Sequence, residues 1–206
     1  MASTRDRLLS EGMRLFGEQG YAATSVAQIE AAAGLSAGSG SLYKHFRSKE
    51  ELLTAGLERL LSGGEYATPA LAAPEGSGVA EKLSAVARAG LRRLDEDRDL
   101  SRLLFRGLES FPALLQRFGD EEISRVHRAT TAMLTELAGE RADDVDWAAV
   151  ALVLQGATAH YWLLSDLFGE HPTGIDEGRF VDALVAMATA LIAGTATARD
   201  ESPSGP

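Results

Sequence analysis

The stretch Leu15-Phe16-Gly17-Glu18-Gln19-Gly20-Tyr21-Ala22-Ala23-Thr24-Ser25-Val26-Ala27-Gln28-Ile29-Glu30-Ala31-Ala32-Ala33-Gly34-Leu35-Ser36 is divided by two glycines into short apolar periods. Upstream, Leu8, Leu9, Gly12, Leu15 and Phe16 fall on one face of a helix predicted over residues 4–19, which Gly20 ends. A second helix opens at Thr24 or Ser25, where Ser25-x-x-Gln28 has the spacing of a capping box, and runs to about Ala33 with Val26, Ile29, Ala32 and Ala33 inward. Gly34 makes a turn. A third helix ends in Leu42-Tyr43-Lys44-His45-Phe46, and its start falls among poor helix formers, Ser36-Ala37-Gly38-Ser39-Gly40-Ser41.

Outward from this stretch the pattern stays helical. Ser48-x-x-Glu51 starts a fourth helix that runs to about Leu61, and Gly63-Gly64 stops it. Breakers fill residues 65–78. Helices are then predicted near 79–95, 99–110, 112–138, 145–168 and 176–193, with Pro112 at a first helical position and His171-Pro172-Thr173-Gly174 dividing the last two. No run alternates β-branched residues, so the expected class is all-α. The expected organisation is a three-helix module over 1–50, a helical domain over 51–195 and a small, polar, disordered tail over 196–206.

Composition narrows the chemistry. There is no cysteine, which excludes disulfides and thiolate metal sites and fits a reducing cytoplasm. The net charge of −10 is uneven. Residues 1–50 hold six Lys/Arg against five Asp/Glu, and the remainder fourteen against twenty-five, so the acidity lies outside the first module and leaves it free to meet a polyanion. Residues 147–165 carry no formal charge and are long enough to span a bilayer, but acidic residues flank both ends; a helix buried by protein is expected, and no membrane partner. The acidic run Asp143-Asp144-x-Asp146 reads as compensation at a helix N-terminus rather than as a metal site.

Three short helices with a glycine turn between the second and third describe a helix-turn-helix, whose third helix enters a major groove. Close approach to base edges asks for small residues there, and phosphate-binding groups must ring it. Ala37, Gly38, Ser39, Gly40 and Ser41 are small; Thr24 or Ser25, Tyr43, Lys44, His45 and Lys49 are placed to reach phosphates. The series Leu15-Phe16, Gly20-Tyr21, Thr24-Ser25-Val26, Ile29, Ala33-Gly34-Leu35-Ser36, Ser41-Leu42-Tyr43, His45-Phe46, Lys49-Glu50 and Leu52-Leu53 resembles the DNA-binding domain of the tetracycline-repressor (TetR) family over about residues 5–55.

The resemblance implies roles position by position. Thr24 and Ser25 hold a phosphate at the start of the second helix, and Ser36 to Ser41 face bases. Tyr43 and His45 lie near the backbone, and Lys49 grips a phosphate. Phe16, Ile29, Leu42 and Phe46 are core. One departure stands out: the family spacing Ser-x-Gly-x-Leu-Tyr is here two residues longer between Ser36 and Leu42. That stretch has no Arg, Asn or Gln for bidentate base reading, which leaves Lys44 as the one long basic side chain on the third helix and part of the specificity to DNA shape.

In a regulator of this kind the larger domain dimerises and binds a small molecule. On the helix at 145–168, Ala149, Leu152, Gly156, His160, Leu163 and Leu167 share a face assigned to the dimer, with Leu184, Met187 and Leu191 from the last helix. The pocket candidates are Leu91, Leu104, Phe105, Leu108, Phe111, Leu115, Met133 and Leu154, with Gln155, Thr158, Tyr161 and Trp162 as polar or aromatic tips. The expected function is a ligand-responsive transcriptional regulator: a homodimer released from a palindromic double-stranded DNA operator by a small, largely apolar molecule of unknown identity. No cofactor or metal is expected, and no catalytic constellation emerges from the scattered histidines His45, His127, His160 and His171. The competing reading is a helical partner-binding protein that has lost DNA recognition.

Overall fold

The computed structural model describes residues 3–62, 76–106 and 111–194. Most of the breaker-rich loop at 65–78, the pocket candidate Leu108 and the tail at 196–206 lie outside these residues. The described residues form helices α1 (Thr4–Gln19), α2 (Val26–Ala32), α3 (Lys49–Ser62), α4 (Val79–Glu96), α5 (Arg98–Arg106), α6 (Pro112–Phe118), α7 (Ser124–Ala138), α8 (Trp147–Phe168) and α9 (Glu177–Ala193), with no strand among them.

Local chemistry fixes most starts. Ser3 caps α1 by accepting from the Asp6 N–H at 3.1 Å, Asp146 caps α8 by accepting from the Ala149 N–H at 3.0 Å, and Asp176 caps α9 from Arg179 at 2.8 Å. The last residue of the acidic run 143–146 is thus a helix cap. Pro112 opens α6. The helix expected over 112–138 is broken by a π-helical turn at Gly119–Ile123, which separates α6 from α7.

The chain packs as two compact units. One takes the described residues up to 62 with 91–126; the other takes 76–90 with 127–194. This differs from the division at residue 50 read from the sequence, because the first unit's core needs α5. That core joins Leu8, Phe16, Ile29, Leu42, Phe46, Leu52, Leu53 and Leu103, all at most 2% exposed. Burying each such side chain contributes about 1.5–3 kcal/mol. α1 and α5 meet backbone to backbone: Gly17 packs directly on the Asp99 backbone, and a methyl at residue 17 would lie 2.7 Å from the Asp99 carbonyl oxygen. The second unit has its own core of Leu83, Met133, Leu134, Trp147, Ala151, Ala188 and Ile192.

Candidate nucleic-acid interface

Between α2 and α3 the chain forms a loop rather than the expected third helix. Residues 36–41 make successive turns, and only Leu42–Lys44 are helical, as one 3-10 turn. Gly38 and Gly40 adopt φ of +71° and +72°, a conformation that breaks α-helix and suits glycine. The Ser39 and Ser41 hydroxyls lie 2.8 Å apart, and Ser39 Oγ accepts from the Ser41 N–H at 3.3 Å. Such side-chain bonds compete with helix. The two extra residues fall inside these turns.

Glu30 holds both ends of this loop. Its carbonyl accepts from the Leu35 N–H at 2.8 Å, and its Oε1 accepts from the Leu42 N–H at 2.9 Å. The side chain is fully buried, and Oε2 has no partner. The sequence reading missed Glu30. The available signal was an acidic residue beside Ile29 on a helix that is otherwise alanine-rich. Glu30→Ala strands the buried Leu42 N–H and is expected to cost about 1–3 kcal/mol. Glu30→Gln keeps the acceptor and should lose clearly less. Urea unfolding of the two variants checks this, and equal losses would show that the hydrogen bond is not what holds the loop.

Two expected phosphate ligands make hydrogen bonds within the module. The Thr24 hydroxyl is buried, donates to the Gly20 carbonyl at 2.8 Å and accepts from Gln19 Nε2 at 3.2 Å, so it closes the α1–α2 turn. Lys49 Nζ donates to the Tyr21 and Thr24 carbonyls, both at 2.7 Å, and sits 4.0 Å above the Tyr21 ring. Burial lowers its pKa below the ordinary lysine value. Tyr21 in turn packs on Phe16 at 5.1 Å and edge-on to Phe111 at 4.6 Å, and burial raises its pKa. These side chains brace the module, and the reason is geometric: the 21–24 turn presents carbonyls that need donors.

Ser25 is exposed and caps α2. Its N–H donates to Gln28 Oε1 at 2.7 Å, and the Gln28 N–H donates to Ser25 Oγ at 3.3 Å, completing the capping box. At α3 the Glu51 N–H donates to Ser48 Oγ at 3.0 Å, but the Glu51 carboxylate accepts from the Arg47 N–H, one residue before the expected partner. Ser36, Ala37, Gly38 and Ser39 are exposed, and Gly40 and Ser41 half-buried. Tyr43, Lys44 and His45 are exposed too, Tyr43 to 59%. The outward surface is therefore a loop of small residues followed by an aromatic ring, an ammonium and an imidazole.

In the second unit, α8 buries Trp147, Ala151, Thr158 and Trp162 and exposes Ala149, Leu152, Gly156, His160 and Leu167, with Leu163 half-buried. Met187 and Leu191 of α9 are exposed, whereas Leu184 is 4% exposed and belongs to the unit's interior, because it lies on the same α9 face as Val181 and Ala188. α8 is also long and apolar enough to cross a membrane by length and composition.

The pocket candidates divide between the units. In the first, Leu91 is buried, Leu104 and Phe111 pack on its core, and Phe105 and Leu115 are exposed to 49% and 41%. In the second, Met133 is buried in the core and Leu154 packs against it. There the polar groups already have partners. Gln155 donates to Thr130 Oγ1 at 3.0 Å and lies 3.3 Å from His127 Nδ1; Thr158 donates to the Leu154 carbonyl at 2.9 Å. Tyr161 donates to the Ile175 carbonyl at 3.1 Å and stacks on Phe180 and His171.

Comparison with known proteins agrees with this arrangement. Residues 8–55 match the family described as bacterial regulatory proteins, tetR family. The chain is 38% identical over 58 residues to the uncharacterized HTH-type transcriptional regulator YerO of Bacillus subtilis, covering 28% of this chain and 19% of that protein. It is 46% identical over 52 residues to the HTH-type transcriptional repressor KstR2 of Mycolicibacterium smegmatis, covering 25% of this chain and 24% of that one. The chain therefore spans only about a fifth to a quarter of these two relatives. The fold extends further: a TetR-like transcriptional regulator from Rhodococcus sp. RHA1 aligns with a TM-score of 0.69 over 94% of this chain and 98% of its own, at 22% identity. Residues 8–55 thus match the tetR family of bacterial regulatory proteins, and the all-helical fold over nearly the whole length is like that of the TetR-like regulator from Rhodococcus.

Proposed function

We propose that the protein is a cytoplasmic, homodimeric repressor that leaves a palindromic DNA operator when a small, largely apolar molecule binds its C-terminal helices. The observation that carries this reading is the outward surface of small residues at 36–41, held at Leu35 and Leu42 by Glu30 and followed by exposed Tyr43, Lys44 and His45. An outward, closely approachable loop of small residues, followed by the Lys44 ammonium, is suited to a groove. The relative named as a repressor, KstR2, supports the direction of regulation. The exposed apolar residues Leu152, Leu167, Met187 and Leu191 support a second copy as the cover for α8 and α9, since apolar patches of this kind mark interfaces. For the ligand, Met133, Leu154 and Trp162 supply apolar wall, and Gln155, Thr158 and Tyr161 supply hydrogen-bonding groups that would exchange their internal partners for it. The ligand shifts operator affinity only by its preference for the released state, with a coupling of about 1–3 kcal/mol.

Selection of genomic fragments by the purified protein at two salt concentrations, with its mass measured by light scattering, tests the proposal. A palindromic site and a mass of two chains are expected. The short 3-10 turn where a recognition helix was expected favours a second reading, a partner-binding protein without DNA recognition. That reading predicts a dimer that enriches no fragment even at low salt.

A further inference from the structure

Thr24 is buried and the half-buried Lys49 ammonium spends two of its three N–H groups on backbone carbonyls, so other cations are needed for most phosphate contacts if the module binds DNA. The charges of the first fifty residues point to them. Of the six basic side chains there, Arg14 is paired with Glu11 and Glu18 at 2.8 and 2.7 Å, and Lys49 is bound to carbonyls. Elsewhere Arg88, Arg93, Arg117 and Arg125 likewise hold carboxylates. Arg5, Arg7, Lys44 and Arg47 are exposed and form no ion pair among the described residues. The one carboxylate between the α1 arginines, Asp6, accepts from the Ser3 hydroxyl at 2.7 Å.

These free cations gather at the loop. The Arg5 guanidinium lies 4.9 Å from the ring centroid of Phe46, at the loop's C-terminal end and between Lys44 and Arg47 in sequence. Arg7 Nη1 lies 3.6 Å from where a side chain on Gly34 would begin, at its N-terminal end. Each α1 arginine therefore stands at one end of a loop that has no cation of its own between residues 36 and 41.

We infer that Arg5 and Arg7 are phosphate anchors for duplex DNA, gripping the backbone at the two ends of the reading loop in place of Thr24 and Lys49. This rests on the DNA-binding reading above. Surface cations left without carboxylates keep their charge available for phosphate, and binding there releases counterions from the duplex.

The test is the salt dependence of binding to a fluorescein-labelled, mixed-sequence duplex, using the full chain. For Arg5→Ala with Arg7→Ala, four lost contacts per dimer should make the slope of log affinity against log salt shallower by roughly 3 to 4, at about 0.9 per phosphate. Arg5→Lys with Arg7→Lys should restore most of the slope, since charge is what the phosphate needs. Arg92→Ala with Arg128→Ala removes two exposed, unpaired arginines elsewhere and should leave the slope close to wild type. A wild-type slope in the Arg5/Arg7 alanine variant, or an equal drop in the Arg92/Arg128 variant, overturns the anchors while leaving DNA binding intact. Absence of salt-dependent binding by the wild-type protein overturns the DNA-binding reading itself, and the anchors with it.

Discussion

Replacing Gly17 by alanine is expected to destabilise the first unit by about 1–3 kcal/mol, the range for forcing an extra methyl into a packed contact. The added methyl would lie 2.7 Å from the Asp99 carbonyl oxygen and 2.8 Å from its Cα. Both are backbone atoms of α5, so relief requires the two helices to move apart. Gly12 and Gly56 provide the comparison. A methyl at either meets only side chains, Leu52 in one case and Met13 in the other, and these can change rotamer. Alanine's better helix propensity, up to about 1 kcal/mol over glycine, then offsets much of the crowding. Urea unfolding of the three variants should rank Gly17→Ala clearly last. A Gly17→Ala protein as stable as Gly56→Ala would mean that α1 and α5 are not locked backbone to backbone.

Lys49→Ala is the second large effect, and it separates two roles for one residue. Lys49 makes two charge-assisted hydrogen bonds and a cation–π contact within the module. Their loss should cost about 2–3 kcal/mol of stability, because hydrogen bonds to charged groups contribute about 1.5–3 kcal/mol. The slope of DNA binding against salt should stay near that of wild type, since no phosphate contact is removed. Lys49→Met, which keeps the apolar stem, should fall with the alanine variant. If stability holds and the salt slope flattens instead, the lysine faces the DNA backbone and the internal assignment is wrong.

What the sequence made legible was mostly local. The Ser25–Gln28 box, the start of α3 at Ser48 and Pro112 at the head of α6 depend on residues a few positions apart, and spacing alone reports them. The family's reading module was legible for another reason: many apolar and small positions recur at fixed spacing. The fate of the third helix was not legible in that way. It turns on Glu30 bonding Leu42 across twelve positions and on the positive φ of Gly38 and Gly40. Nor does sequence tell which way a polar side chain turns. Thr24 and Lys49 are of the right type for phosphate, but the carbonyls of the 21–24 turn take their donors. On α9 the apolar surface is nearly continuous, so Leu184 could not be told from Met187 until packing buried one and exposed the other.

The double hold by Glu30 has a consequence for engineering. Because the backbone at Leu35 and the backbone at Leu42 are both fastened to one residue of α2, the six residues between them form a cassette with fixed ends. Lengthening such a closed segment adds only a small entropic term, about 0.6 kcal/mol for a doubling. Insertions and wholesale exchange of residues 36–41 should therefore leave the helices around them in place. A library spliced at those two posts would vary what the module touches without rebuilding what holds it.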